Sequence, residues 1–124
     1  MSLSDSPMHT TIPASDLDRA REFYEEKLGF TPASVAPGGV FYESGGTRFL
    51  VYPSRSAGTN QATTAGWAVE DIEATVTDLV DRGVTMERYE GTTDEHGIAT
   101  FGPLRSAWFK DTEGNILGVV QLPS

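Results

Sequence analysis

The sequence predicts an α+β domain in which one βαβββ module occurs twice. Three observations support this prediction: two amphipathic segments share start and end signals, a strand-like run precedes each of them, and Gly-containing turns divide the β-rich chain that follows. We expect such a chain to form curved sheets with the helices on their outer faces.

The first helix is expected between Asp16 and Gly29. Apolar residues recur in this stretch at helical spacing, and the charged residues mostly face elsewhere. Ser15 or Asp16 can accept hydrogen bonds from the first free amide groups, and Gly29 suits the left-handed residue that ends a helix. The run "HTTIPA" before the helix is interpreted as the first strand.

The second helix is expected between Asp71 and Gly83, after the strand-like run "TAGWAV". Its apolar stripe is Ile72, Val76, Leu79 and Val80. Gly83 follows Asp71 by twelve positions, and Gly29 follows Asp16 by thirteen. The same signals at nearly the same spacing indicate a duplication.

Two segments, "VFYESGGTRFLVY" and "AWFKDTEGNILGVV", each indicate a pair of strands joined by a polar, Gly-bearing turn. The small polar run "PSRSAGTNQAT" between the halves indicates a linker. We therefore expect a single domain over residues 1–124, with module 1 at 8–52, the linker at 53–63 and module 2 at 64–122.

Composition narrows the functional classes. The formal net charge of −9 repels phosphate backbones and anionic lipid surfaces, so nucleic acid and membranes are not expected partners. The absence of cysteine excludes disulfides, thiolate metal sites and a cysteine nucleophile. No apolar run approaches the roughly 18 residues of a membrane span. Residues 1–7 lack the basic and apolar regions of a secretory signal, so a cytoplasmic location is expected.

The chain resembles the vicinal oxygen chelate superfamily, which includes glyoxalase I, bleomycin resistance proteins and extradiol dioxygenases. The resemblance covers residues 8–122 and depends on the duplicated module order, on "DLDRAREFYEEKLGF" in the first half and on "FKDTEGNILGVVQ" closing the second. It implies that the two modules form a cupped mixed sheet around a cavity, with the helices outside, and that a second subunit often completes this cavity. We therefore expect a homodimer with a small-molecule ligand.

In metal-using members of that superfamily, four strand positions supply the ligands, two from each module, as His, Glu, His and Glu or close relatives. Counting back seven residues from Asp16 reaches His9, so the first position holds a possible ligand. The same step back from Asp71 reaches Thr64, whose hydroxyl is a poor ligand for a divalent metal.

The other two positions also lack a carboxylate. The last ligand of the superfamily lies four residues beyond the turn glycine, and Gly114 plus four is Gly118. The corresponding position of module 1 falls at Leu50, Val51 or Tyr52, depending on the gap chosen. One imidazole without partners holds a dication only weakly, so we expect no metal site and no cofactor.

Alternation along the strands selects candidates for the cavity face. His9 and Thr11 share one face of the first strand, whereas Ile12 points to the helix. His9 is either a cavity-facing group that exchanges protons or one exposed near the strand end. On the equivalent strand of module 2, Thr64 takes the cavity face and Trp67 the helix face, which predicts a core role for Trp67.

A second set of candidates comes from later strands. Arg48, Leu50 and Tyr52 share a face; Tyr52 either contacts a ligand or caps the sheet edge, and Arg48 has a solvated turn residue as its alternative. Trp108 and Phe109 are adjacent and must point to opposite faces; of the two, Trp108 is favoured for the cavity, and its alternative is the core role that is more common for a tryptophan in a sheet. The cavity candidates are thus His9, Thr11, Arg48, Leu50, Tyr52, Thr64, Trp108 and Gly118.

The polar segment "TTDEHGIATFGPLRS", residues 92–106, is expected to form a mobile rim over the cavity. His96, beside Glu95, is a rim candidate for acid–base chemistry, with a solvated turn histidine as the alternative.

Together these observations favour a metal-free small-molecule binder of bleomycin-resistance type. The alternative is a lyase, isomerase or dioxygenase-type enzyme that uses His9 or His96.

Overall fold

The computed structural model describes residues 2–123. A short 3-10 turn, Leu3–Asp5, precedes the first strand. Helix α1 is Leu17–Glu22 and continues as a π-helix over Phe23–Lys27, and helix α2 is Ile72–Asp81. Within the described residues the strands are β1 Thr10–Ala14, β2 Pro32–Ala36, β3 Gly39–Ser44, β4 Thr47–Pro53, β5 Ala65–Val69, β6 Ile98–Phe101, β7 Leu104–Lys110 and β8 Ile116–Gln121.

The strands form two four-stranded sheets of the same topology. The first sheet has the order β1-β4-β3-β2 and the second has the order β5-β8-β7-β6. In each sheet the strand before the helix runs parallel to the last strand of its module, and the other neighbours are antiparallel. The predicted α+β fold with two βαβββ modules is confirmed.

Each sheet has a helix face, which packs on the helices and on the other module, and an open face on its opposite side. Alternation along β1 places Ile12, which is 1% exposed, on the helix face and Thr11 on the open face. Helix-face residues of both modules form one core. In this core the ring of Phe23 lies 6.4 Å from that of Phe109 on β7.

The first helix differs from an α-helix in its second half. Asp16 caps its start as predicted, because one carboxylate oxygen accepts from the amide of Arg19 at 3.1 Å. From Phe23 onward the hydrogen bonding is that of a π-helix, and the amide of Leu28 donates to the carbonyl of Phe23 at 3.0 Å. Such a turn accommodates an extra residue, which accounts for the longer spacing of module 1. It also allows the adjacent Phe23 and Tyr24 to lie in the core together.

The second helix begins at its predicted cap. An Asp71 carboxylate oxygen accepts from the amide of Ala74 at 3.1 Å. Ile72, Val76 and Leu79 are buried, but Val80 is 52% exposed, so its assignment to the apolar stripe is wrong. Val80 lies just beyond the edge of the buried stripe, on the part of the helix surface that faces solvent.

Both predicted hairpins are present. β3 and β4 are joined by Gly45 and Gly46, whose φ angles of 55° and 88° lie in the left-handed region that two-residue hairpin turns require. β7 and β8 are joined by the turn over residues 111–115.

The segment 92–106 is not a single rim. Ile98–Phe101 and the start of β7 pair as antiparallel strands, and Ile98 and Ala99 are buried. This hairpin was not predicted, because the segment is polar overall and β6 is only four residues long. The part before β6, which contains His96, belongs to no named strand, although Thr93 forms an isolated bridge with Ala99.

The turn between β7 and β8 carries three buried polar residues, Asp111, Glu113 and Asn115, which we call the clasp. One Asp111 oxygen accepts from the hydroxyl of Tyr24 at 2.7 Å. The side-chain amide of Asn115 donates to the carbonyl of Pro13 at 2.7 Å. The clasp therefore joins the last hairpin of module 2 to β1 and to the first helix of module 1.

Glu113 forms an ion pair between the clasp and the first helix. Its carboxylate accepts from the side chain of Arg19 at 2.8 Å and from the amide of Asp16 at 2.8 Å. Burial by itself raises the pKa of Glu113, but these bonds and those from the hydroxyls of Thr112 and Ser15 outweigh it and hold the pKa at about 2. Glu113 is therefore ionised in the folded protein at neutral pH.

Neither helix within residues 2–123 is long and apolar enough to cross a bilayer.

Candidate functional site

The open face of the first sheet carries most of the predicted candidates from module 1. Thr11 is exposed, and Leu50 and Tyr52 are half-buried, whereas Val51 between them is fully buried in the core. His9 is exposed and directly precedes β1, and its ring lies 5.5 Å from that of Phe41, edge to face. The environment of the imidazole on this face is thus partly aromatic.

Arg48 belongs to the same strand but is paired elsewhere. Its guanidinium donates to the Glu43 carboxylate at 3.2 Å, across the β3–β4 ladder. Both side chains are more than half exposed. This is a solvent-screened pair within the sheet, on strand β4 and not in a turn.

The open face of the second sheet is built around Trp108. Its neighbour Phe109 is 1% exposed and lies in the core, so the two rings take opposite faces as predicted. The Trp108 ring lies 5.6 Å from Tyr89 and 6.5 Å from Phe101, both at steep angles. Tyr89 and Phe101 are 39% and 52% exposed, so aromatic surface reaches solvent here.

Gly118 lies beneath the indole of Trp108. A Cβ atom added at Gly118 would lie 3.2 Å from Cδ1 and 3.4 Å from Nε1 of that ring, closer than ordinary contact. The hydroxyl of Thr64, at the edge of this sheet, is buried and has no hydrogen-bond partner among residues 2–123. Thus the space next to position 118 is taken by an aromatic ring.

His96 lies in the turn before β6. Its side chain is 68% exposed, and Nε2 lies 3.6 Å from a Glu95 oxygen. The turn is held by Asp94, whose carboxylate accepts from the amides of Ile98 at 2.9 Å and His96 at 2.8 Å. These amide bonds lower the pKa of Asp94. The geometry of this turn is therefore fixed by its backbone, and the imidazole points into solvent.

A cavity of about 490 Å³ lies between the modules, on the helix faces rather than the open faces. Its size is within the range of small-molecule pockets. Its walls come from the β3–β4 turn, from β5, from α2 and from the segment that follows the first helix. The lining residues are Thr10, Ile12, Leu28, Phe30, Ser44, Gly45, Thr47, Arg48, Phe49, Ala65, Gly66, Trp67, Ala68, Val69, Thr75, Leu79, Phe109 and Val119.

Of the eight predicted cavity candidates, only Arg48 lines this cavity. The others lie on or beside the open faces. Trp67, predicted to lie in the core, is half-buried on the helix face as expected, and its indole donates to the Ser44 hydroxyl at 3.1 Å. The sequence therefore locates the open-face residues but misses a cavity on the opposite side.

The family model described as Glyoxalase/Bleomycin resistance protein/Dioxygenase superfamily matches residues 7–119. The chain belongs to this superfamily.

The chain is also similar to individual proteins. The uncharacterized protein YurT of Bacillus subtilis strain 168 is 31% identical over 131 residues, which cover 90% of this chain and 95% of that protein. The crystal structure of lactoylglutathione lyase from Agrobacterium tumefaciens is similar with a TM-score of 0.70, at 19% identity over 94% of this chain and 92% of that one. A glyoxalase/bleomycin resistance protein/dioxygenase from Nocardioides has a TM-score of 0.67, at 21% identity over 95% and 85% of the two chains. At these identities the two structures support the fold alone.

The strand register of this superfamily member identifies the unresolved ligand position of module 1. In module 2, Ala65 follows Thr64 and pairs with Leu117, and Gly118 is the residue after Leu117. In module 1, Thr10 follows His9 and pairs with Phe49, and Leu50 is the residue after Phe49. Leu50 is therefore the counterpart of Gly118, and Val51, which is buried, and Tyr52 are not.

The four ligand positions thus hold His9, Leu50, Thr64 and Gly118, which do not fit a metal ion. Leucine and glycine have no donor atom, and a neutral threonine hydroxyl is a weak one. Across the described chain, no group of three or more His, Cys, Asp or Glu is arranged to hold a metal. No step of a metal-assisted reaction can be derived from these residues.

Several residues of the cavity and the clasp were not found as candidates from sequence. Trp67 and Phe49 have helix-face parity, which is the ordinary signature of a core residue, and Phe30 lies in the loop after the first helix. Glu113 and Asn115 lie in a common type of turn, and only their burial distinguishes them. A local sequence pattern does not indicate how two modules pack on each other.

Proposed function

We propose that this chain is a small-molecule-binding member of its superfamily that works without a bound metal, in the manner of bleomycin resistance proteins. The observation that carries the proposal is the content of the four ligand positions. Only His9 has a side chain suited to a dication, and Leu50, Thr64 and Gly118 do not complete a shell. The chain keeps the fold of the superfamily, but it lacks the donor atoms that would hold a metal ion as a Lewis acid.

The open faces support ligand binding in another way. Trp108, Tyr89 and Phe101 present aromatic surface in the second sheet, and Phe41 and Tyr52 do so in the first. Aromatic rings bind flat ligands by stacking. We propose that a second copy of the chain covers these faces, which makes the active species a homodimer in the cytoplasm.

A thermal-shift screen of the untagged protein tests this proposal. The compounds are flat neutral, anionic and cationic ring molecules, each measured with and without EDTA. A ligand present at 100 times its Kd stabilises the folded state by about 2.7 kcal/mol, so a true ligand raises Tm measurably. We expect at least one compound to raise Tm equally in both conditions.

Two results would contradict the proposal. One is a screen in which no compound raises Tm. The other is a set of ligands whose effect disappears with EDTA and returns with added Zn²⁺ or Ni²⁺, because this would make the metal part of the binding site.

A further inference from the structure

We propose that the cavity between the two modules binds an uncharged, ring-containing molecule that carries a carbonyl or ether oxygen. This inference rests on the proposed function, and it names a ligand class and a place for it. The place is the helix-face cavity of about 490 Å³ and not the open faces on which the superfamily's ligand positions lie.

The charges around the cavity favour a neutral ligand. Among its described lining residues, Arg48 is the one with an ionisable side chain, and its guanidinium is held by Glu43 at 3.2 Å where both side chains are more than half exposed. Among residues 2–123, no carboxylate lines the cavity to neutralise a cation. A charged group that enters the cavity loses hydration there without gaining an unpaired partner of opposite charge, which disfavours its binding.

The walls favour a ring. The rings of Phe30 and Trp67 are stacked with centroids 6.0 Å apart and an angle of 17°, and Phe49 meets Trp67 edge-on at 6.4 Å. These rigid aromatic surfaces offer a large contact area at a low cost in side-chain entropy. Leu28 and Leu79 add aliphatic surface from opposite sides.

The polar groups of the cavity favour a hydrogen-bond acceptor on the ligand. The hydroxyl groups of Thr47 and Thr75 already donate to the carbonyls of Ser44 and Asp71, each at 2.9 Å. The Ser44 hydroxyl accepts from the Trp67 indole at 3.1 Å, and no acceptor for its own proton occurs among residues 2–123. Ser44 can therefore donate to a ligand oxygen, next to the aromatic wall.

The experiment uses three probes of matched ring size: acetylnaphthalene, which is neutral, naphthoate, which is an anion, and naphthylmethylammonium, which is a cation. The chain has two tryptophans, so its nitrogen–proton NMR spectrum has two indole N–H resonances. Trp67→Phe and Trp108→Phe assign them. Trp67 reports the cavity, and Trp108 reports the open face.

We expect acetylnaphthalene to shift the Trp67 resonance saturably, with the two charged probes binding there at least about tenfold more weakly. Thr75→Phe fills the cavity from α2, and we expect it to abolish that shift. Thr77→Phe adds the same ring to an exposed position of the same helix and is the matched control. We expect Thr77→Phe to bind as the unmodified chain does, and Tm measured for both variants checks that they fold.

Three results would overturn this inference. They are a shift of the Trp108 resonance without one of Trp67, equal or tighter binding of a charged probe at Trp67, and an unchanged Trp67 shift in folded Thr75→Phe. A Trp108 shift alone leaves the proposed small-molecule function standing and moves the ligand to the open face. If neither resonance responds and the thermal-shift screen finds no ligand, both proposals fail.

Discussion

Gly118 is one of the positions at which this chain lacks a donor atom for a metal. The position lacks a donor, and its space is also occupied, because a Cβ there would lie 3.2 Å from the Trp108 ring. A side chain at position 118 would therefore occupy space that the indole of Trp108 now fills. Replacing Gly118 by glutamate would not by itself rebuild a metal site, since Leu50 and Thr64 would still lack suitable donors.

A double-mutant cycle tests this competition. Gly118→Ala is expected to lower the free energy of unfolding by about 1–2 kcal/mol, because the added methyl group overpacks the contact. In a Trp108→Ala background the same substitution is expected to be neutral or stabilising, since alanine restricts the unfolded chain. Chemical denaturation of the four proteins measures the coupling. Equal effects of Gly118→Ala in both backgrounds would mean that the indole does not constrain this position.

Glu113 is a second residue whose role depends on its surroundings. Its pKa is lowered from an ordinary value of 4.5 to about 2, so the ionised form stabilises the folded state. For a carboxyl group with a lowered pKa, this stabilisation is complete above the unfolded value and is lost as the pH falls through the folded value.

We expect Glu113→Gln to lower the free energy of unfolding by about 2–3 kcal/mol at neutral pH. The difference from the unmodified chain should shrink between about pH 5 and pH 2, as Glu113 of the unmodified chain becomes protonated. Denaturation as a function of pH measures this. Glu26→Gln, at an exposed position of the first helix of module 1, is the control and should show no such trend. A pH-independent loss in Glu113→Gln would show that the charge of Glu113 is not what stabilises the fold.

At the scale of elements, local chemistry determines what the sequence could predict. Asp16 and Asp71 cap the helices because an N-cap bond forms within one turn, and such bonds can be recognised from nearby residues. The π-helix was not predicted because the periodicity was compared with an α-helix. Its sequence signal was the extra position between Asp16 and Gly29. β6 was missed because it is short and polar around its buried residues.

The π-helix has a consequence for packing that can be measured. It lets Tyr24 reach Asp111 at 2.7 Å, and burial together with the Asp111 carboxylate raises the pKa of the Tyr24 hydroxyl. We expect Tyr24→Phe to lower the free energy of unfolding by about 1–2 kcal/mol, the cost of a buried hydrogen bond to a charged group. Tyr52→Phe, on the open face, is the matched control and should change stability by less than about 0.5 kcal/mol. Equal effects of the two variants would argue against the helix-to-turn contact.

At the scale of the molecule, the placement of one module against the other decides where a cavity lies. Alternation along each strand correctly separated Trp108 from Phe109 and Leu50 from Val51. It could not show that the helix faces enclose a cavity, because this depends on contacts between distant segments such as Phe30 and Trp67. The predicted site was therefore placed on the open faces, and the cavity on the helix faces became visible only in the folded chain.

The proposed homodimer also belongs to this scale. We expect sedimentation equilibrium at micromolar concentration to give the mass of two chains. Phe101→Asp, which places a charge on the exposed ring position of the open face, should shift the equilibrium toward single chains. Thr77→Asp, on the outside of α2, is the control and should leave it unchanged. A single-chain mass for the unmodified protein would contradict shared open faces.

Elemental analysis of the untagged protein, purified without chelators, tests the central claim most directly. The donor set of His9, Leu50, Thr64 and Gly118 predicts well under one equivalent of Ni, Zn, Mn or Fe per chain, and the same content in His9→Ala. Near-stoichiometric metal that is lost in folded His9→Ala would contradict the account.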